Sequence, residues 1–239
     1  MMNWLILLPL FVLSTNASFS NWGLSSVLPS ILKHLPVANC NISALSLPSC
    51  SLPAPTAGLH LQYVTLGRGT QNYTCSSSSS SSSSSSATPV AVGATAILFD
   101  ASCVASLDTT ILHNLPDLLK RVPLSGAEIT TQLLDWLTGQ TMKLGKHFFT
   151  AEGAPFFDLR HAGANDDFAR AAKVAQVDAP AQFALGETRD VAWLQLKGVE
   201  GGIKEVYRVQ TAGGGPPATC EGMPSSFTVD YAAEYWFYA

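Results

Sequence analysis

The chain has 239 residues, of which 47% are apolar and only 13% charged, with a formal net charge of −4 at neutral pH. That length and apolar content suffice for a sizeable core, and the charged share is about half the usual one. A thin acidic surplus with no Lys/Arg cluster excludes the electrostatic footprint of a nucleic-acid or anionic-membrane binder, so neither is an expected partner.

The chain opens on an apolar run, Trp4–Leu13, followed by Thr15-Asn-Ala17. The run is too short to span a bilayer and precedes small residues, which predicts a cleaved signal peptide over 1–17 and a secreted, extracellular mature protein. Export makes disulfides the default for Cys40, Cys50, Cys75, Cys103 and Cys220, giving two bridges and one odd thiol. Spacing does not fix the pairing. Cys75 with Cys220 is the preferred bridge, because it would close a long loop. Asn41-Ile-Ser43 and Asn72-Tyr-Thr74 are acceptor triplets for N-glycosylation, which places both asparagines in exposed loops.

Residues 18–57 are rich in Ser, Pro, Leu and Asn without sustained periodicity, and read as an N-terminal arm tethered by Cys40 or Cys50. Residues 58–239 read as a single β-rich domain. Leu59–Leu66 alternates apolar with polar, Gly67-Arg-Gly69 reads as a turn, and Thr70–Cys75 completes a hairpin. The serine run over 76–86 has nothing to bury and is expected to be a disordered, solvated loop. Pro89–Phe99 resumes as a strand.

A helical insertion follows over 107–139. Its first part, Ile111 to Leu119, looks like two helical turns broken at Pro116. The second part has a capping box at Ser125 and Glu128, with Ile129, Leu133, Trp136 and Leu137 on one face, and predicts an amphipathic helix packed on the sheet. Strand signals then return at Gly145–Thr150, Pro155–Leu159, Ala171–Val177, Val191–Lys197, Lys204–Thr211 and Phe227–Tyr238. Many short strands with Gly/Pro turns define a mainly β fold: an antiparallel β-sandwich or barrel with one or two inserted short helices.

Chemistry is harder to find. There is no Gly-x-Ser-x-Gly elbow, His-Glu-x-x-His, P-loop or Cys-x-x-Cys. The nearest dinucleotide fingerprint, Gly67-Arg-Gly-Thr-Gln-Asn72, has Asn72 in place of the third glycine and no helix after it, which disfavours an NAD-dependent dehydrogenase. None of the five histidines has a partner at metal-ligand spacing, so no metal or other cofactor is expected. The weak catalytic candidates are His147 and Asp158, which could face each other across a hairpin and share a proton, with Arg208 nearby. Arg208, Glu205 and Glu234 alternate with apolar residues, and a solvated sheet face is preferred over a barrel lumen for them.

The segments Gly67–Cys75, Ala96–Asp100, Val206–Gly214, Pro217–Gly222 and Val229–Tyr238 resemble a known family, the fungal branch of the secreted proteins catalogued as domain of unknown function 3455. The resemblance runs from about Leu59 to Tyr238 and implies a fungal, exported, β-rich protein with no assigned activity. Members have been labelled malate dehydrogenase, a label these residues do not support. The chain departs from the family pattern at the serine run and at Lys146, where a second histidine beside His147 is expected.

The reading that follows is a non-catalytic secreted module acting at the cell surface or wall. Contact with cell-wall or host carbohydrate is the expected partnership, through Tyr63, Tyr73, Tyr207, Tyr231, Tyr235, Trp236 and Tyr238, whose rings could stack on sugars. The rival is a secreted hydrolase-like enzyme using His147, Asp158 and Arg208.

Overall fold

A computed structural model of the chain describes residues 40–75, 87–138, 141–161, 163–180 and 189–239. The expected signal peptide, the arm up to residue 39 and the serine run 76–86 lie outside the described residues. Among those described, eight strands follow one another: β1 (Leu61–Thr74), β2 (Val90–Asp100), β3 (Lys143–Phe149), β4 (Pro155–Asp158), β5 (Phe168–Val177), β6 (Trp193–Glu200), β7 (Glu205–Gly213) and β8 (Ser226–Tyr238). Each pairs antiparallel with the next, and β8 returns to β1, so the sheet closes into a barrel. Closure leaves no free sheet edge, which is how an antiparallel sheet of this size avoids exposing unpaired backbone groups.

β1 runs unbroken through Gly67-Arg-Gly69, so the expected hairpin does not form there. The glycines serve close approach rather than turning. A Cβ on Gly69 would collide with the carbonyl oxygen of Thr95 on β2, and one on Gly67 would meet the Tyr235 ring. Asn72 therefore lies half-buried in β1, paired with Gly93 and Thr228, and not in an exposed loop. Asn41 is exposed as expected.

Three helices rather than one or two separate β2 from β3: α1 (Ser102–Leu107), α2 (Thr109–Lys120) and α3 (Leu124–Thr138). Asp108 caps α2 by accepting from the backbone N–H of Thr110 and Ile111. The helix continues through buried Pro116, which is contrary to the expected break. α3 starts at Leu124, so Ser125 sits within its first turn and not at a cap. Nor do Ile129 and Leu133 of its expected apolar stripe pack on the sheet: they are 65% and 54% exposed. The sheet face that such a helix would cover is already taken by α2, which packs on β1, β7 and β8.

Apolar side chains form two layers. Leu98, Phe157, Leu196, Val206, Tyr235 and Phe237 pack together on the lumen side. Val64, Leu112, Trp193, Tyr207, Val209 and Trp236 pack between the outer wall, the helices and the segment around Leu52. β8 is thus buried on both faces from Tyr231 to Tyr238, which explains its nearly continuous aromatic and small-residue run. The expected solvated face for Glu205, Arg208 and Glu234 is accordingly not found: all three are buried. Glu234 is held in the outer layer by His113 Nδ1 at 2.8 Å and by the Trp236 indole N–H, which donates at 2.9 Å. Glu205 accepts from the Thr56 backbone N–H at 3.2 Å and from the Tyr207 hydroxyl at 3.2 Å.

Two disulfides staple the barrel. Cys75–Cys220 ties the end of β1 to the β7–β8 connection, the preferred bridge, and Cys40–Cys103 ties the N-terminal segment to α1. Cys50 is a half-buried free thiol. Among the described residues no helix is long and apolar enough to cross a membrane.

Candidate functional site

The β3–β4 hairpin decides which side chains enter the lumen. Its register sets His147 opposite Phe157 and Lys146 opposite Asp158. Because successive strand residues point to opposite faces, His147 turns inward and Asp158 outward. The expected His147–Asp158 pair is not formed. Asp158 instead accepts two bonds from the Arg160 guanidinium, at 2.8 and 3.0 Å, which hold its carboxyl below the usual carboxylate range. It lies in an outer depression with Lys143, Lys146 and His161.

His147 is 4% exposed, stacked on Phe157 with ring centroids 4.3 Å apart. Its Nδ1 lies 3.0 Å from the Phe156 carbonyl oxygen. A carbonyl only accepts, so Nδ1 bears the proton and Nε2 is left as an acceptor. Burial pushes the imidazole down to about 4; the Phe156 bond opposes this, and the Arg208 charge adds to it.

Arg208 enters from β7, opposite Leu194 of β6 and Tyr235 of β8. Its guanidinium donates to the Ala192 carbonyl at 2.8 Å, while its Nε is buried without a partner. Among the described residues, no carboxylate reaches ion-pair distance of it. Its charge is felt by Tyr73, Tyr231 and Tyr235, whose hydroxyl pKa values burial raises and Arg208 partly restores. The Tyr231 and Tyr235 hydroxyls are 2.7 Å apart. Two residues beyond Arg208 the strand bulges at Gln210, whose φ of 46° is left-handed, a feature that recurs where a strand re-aims side chains beside a site.

His147 and Arg208 meet at a cavity of about 620 Å³ that is open to solvent. Phe157, Leu194 and Leu196 supply apolar wall, and Gln71 and Tyr235 add polar groups. The rim bears Glu152, Arg170 and Lys173. Of the sequence candidates, the lumen thus unites His147 with Arg208 and leaves Asp158 outside.

Gln71 and Tyr235 were not foreseen in this role. Their signal is strand alternation: Gln71 shares a face with Gly67 and Gly69, and Tyr235 shares one with Tyr231 and Phe237. The aromatic residues proposed for sugar stacking form no exposed strip. Tyr73, Tyr207, Tyr231, Tyr235, Trp236 and Tyr238 are buried, and half-buried Tyr63 donates its hydroxyl to Asp167 at 2.7 Å. Among the described residues, no group of three His, Cys, Asp or Glu side chains is placed to hold a metal ion.

A family model described as "Protein of unknown function (DUF3455)" matches residues 55–239, and the chain belongs to that family. No curated protein and no solved structure matches the chain.

Proposed function

We propose that this family member is an exported, non-catalytic barrel that holds a small molecule in its open cavity. The observation that carries the reading is the convergence of His147 and Arg208 in one open cavity of about 620 Å³. Ligand sites run from about 300 to 1,000 Å³, with mostly apolar walls and a few convergent polar groups. Closed eight-stranded barrels have room for one small ligand when their lumen is not filled by side chains. Export is supported by the apolar run Trp4–Leu13 and by the two disulfides, which persist in oxidising compartments.

Binding is favoured over hydrolysis because His147 lacks the carboxylate that stabilises the imidazolium in a Ser-His-Asp triad. Behind His147 there is a backbone carbonyl, with the Arg208 charge nearby opposing protonation. The test uses a neutral fluorescent probe, N-phenyl-1-naphthylamine, titrated into the intact protein and into Leu194→Trp, which fills cavity space at the apolar wall. Saturable binding that disappears in a variant retaining its melting transition is expected. An absence of saturable binding, or equal binding in the filled variant, refutes the reading.

Contact with wall carbohydrate is a second reading, favoured by a different surface. Phe148, Phe156 and Phe168 form a half-buried ladder on the outer faces of β3, β4 and β5, with centroids 5.1 and 5.5 Å apart. Arg160 lies 4.9 Å over the Phe168 ring. Retention on insoluble glucan or chitin that Phe156→Ala removes is the expected result; equal retention removes the ladder from consideration.

A further inference from the structure

We infer that the ligand of this lumen is an organic acid whose carboxylate supplies the counter-ion that Arg208 lacks. The inference rests on the reading that the cavity binds a small molecule, and it adds the ligand's chemical class.

The chain contains its own control. Its other buried arginine, Arg68, is 2% exposed and has a carboxylate: its guanidinium donates to Asp230 at 2.9 Å, to the Gly69 carbonyl at 2.7 Å and to the Val122 carbonyl at 3.1 Å. Arg208 is 8% exposed; its guanidinium has the Ala192 carbonyl and the Tyr235 hydroxyl as partners, an unpartnered Nε and no carboxylate among the described residues. A buried charge is costly unless paired and hydrogen-bonded. A guanidinium left in this state at the wall of an open cavity is matched by a planar anion, which its parallel N–H groups bind two at a time.

The surrounding groups agree on the sign. His147 is neutral above about pH 4, and the hydroxyls of Tyr73, Tyr231 and Tyr235 are held in their neutral form by burial. Of the rim charges, Arg170 already pairs with Glu200 at 2.9 Å, Lys173 donates to the Gln176 side chain at 3.0 Å, and Glu152 stands exposed. None of these supplies Arg208 with an anion. The Gln71 side chain, which also lines the cavity, is engaged with the Tyr231 hydroxyl and supplies no counter-charge. The lone pair on His147 Nε2 repels a carboxylate and accepts from a hydroxyl, so it turns the anionic group toward Arg208. The ligand's apolar body then lies along Phe157, Leu194 and Leu196.

The test is isothermal titration of the intact, disulfide-bonded protein with matched pairs, cinnamate against cinnamamide and octanoate against octanamide. Charged hydrogen bonds of this kind predict that each acid binds about ten- to a hundredfold more tightly than its amide. Arg208→Met is expected to close that gap. Wild-type protein alone decides the matter should the variant fail to fold. Amides that bind as well as acids overturn the organic-acid inference while leaving the cavity reading intact. Binding of the neutral naphthylamine probe with no binding of either acid does the same. Failure of that probe as well refutes the cavity reading itself.

Discussion

The ring of Tyr235 rests on the backbone of Gly67: a Cβ on Gly67 would fall 2.5 Å from Tyr235 Cε2 and 3.3 Å from a methyl carbon of Leu98. Two strands that close the barrel therefore meet where only glycine fits, and the ring pinned there belongs to the cavity wall. Gly67→Ala is expected to push Tyr235 into the lumen, destabilising by about 1–3 kcal/mol as overpacking does. It should also weaken probe binding. Gly69→Ala should cost more, because what its methyl meets is the backbone of β2 and not a ring that can tilt. Urea unfolding of the two variants checks both the sign and the order.

Stability should depend on His147 in a defined pH window. Its folded value of about 4 lies below its ordinary value of 6.5, so between these the unfolded chain binds more protons than the folded one. Its full contribution is present above pH 6.5, is lost as pH falls toward 4, and changes no further below that. The loss is about 3 kcal/mol over the window, on the order of 1.4 per pH unit. His147→Gln should flatten that stretch of the profile. An unchanged slope in denaturant melts between pH 6.5 and 4 would assign the dependence to other groups.

Thiol chemistry should divide the five cysteines four to one. Alkylation without reductant should label Cys50 alone, slowly because it is half-buried, and reduction should expose Cys40, Cys75, Cys103 and Cys220. Intact mass reads both states. Replacing Cys75 and Cys220 by serine should cost about 2–5 kcal/mol, since the bridge spans a long loop. A double variant that melts like wild type would show that the strand pairing of β1 alone holds that end.

Removing Tyr235–Ala239 should abolish the cooperative unfolding transition. These residues pair with β1 on one side and β7 on the other, and they bury Tyr235, Trp236, Phe237 and Tyr238. Each large aromatic lost from a core costs about 3–5 kcal/mol, against a total stability of about 5–15 kcal/mol. A truncated chain that still melts cooperatively would mean the barrel stays shut without the last four residues of β8.

The mainly antiparallel β class, the positions of strands β2 to β8 and the surplus of cysteines were all legible along the chain, because period-two alternation and turn residues are local signals. What local signals cannot convey is which of two alternating faces points inward, since a shift of one residue exchanges them. That ambiguity separates His147 from Asp158, one in the lumen and the other on the outer wall, although both were marked as candidates. It also hid the burial of Arg208, a candidate whose alternation fits a wet face as well as a dry one until β6, β7 and β8 are laid side by side. Gly67 and Gly69 read as a turn because local sequence does not show the strands that press against them. Only closure of β1 onto β8, which brings Leu61 against Tyr238 from opposite ends of the barrel domain, turns those residues into a cavity with an unpaired charge at its wall.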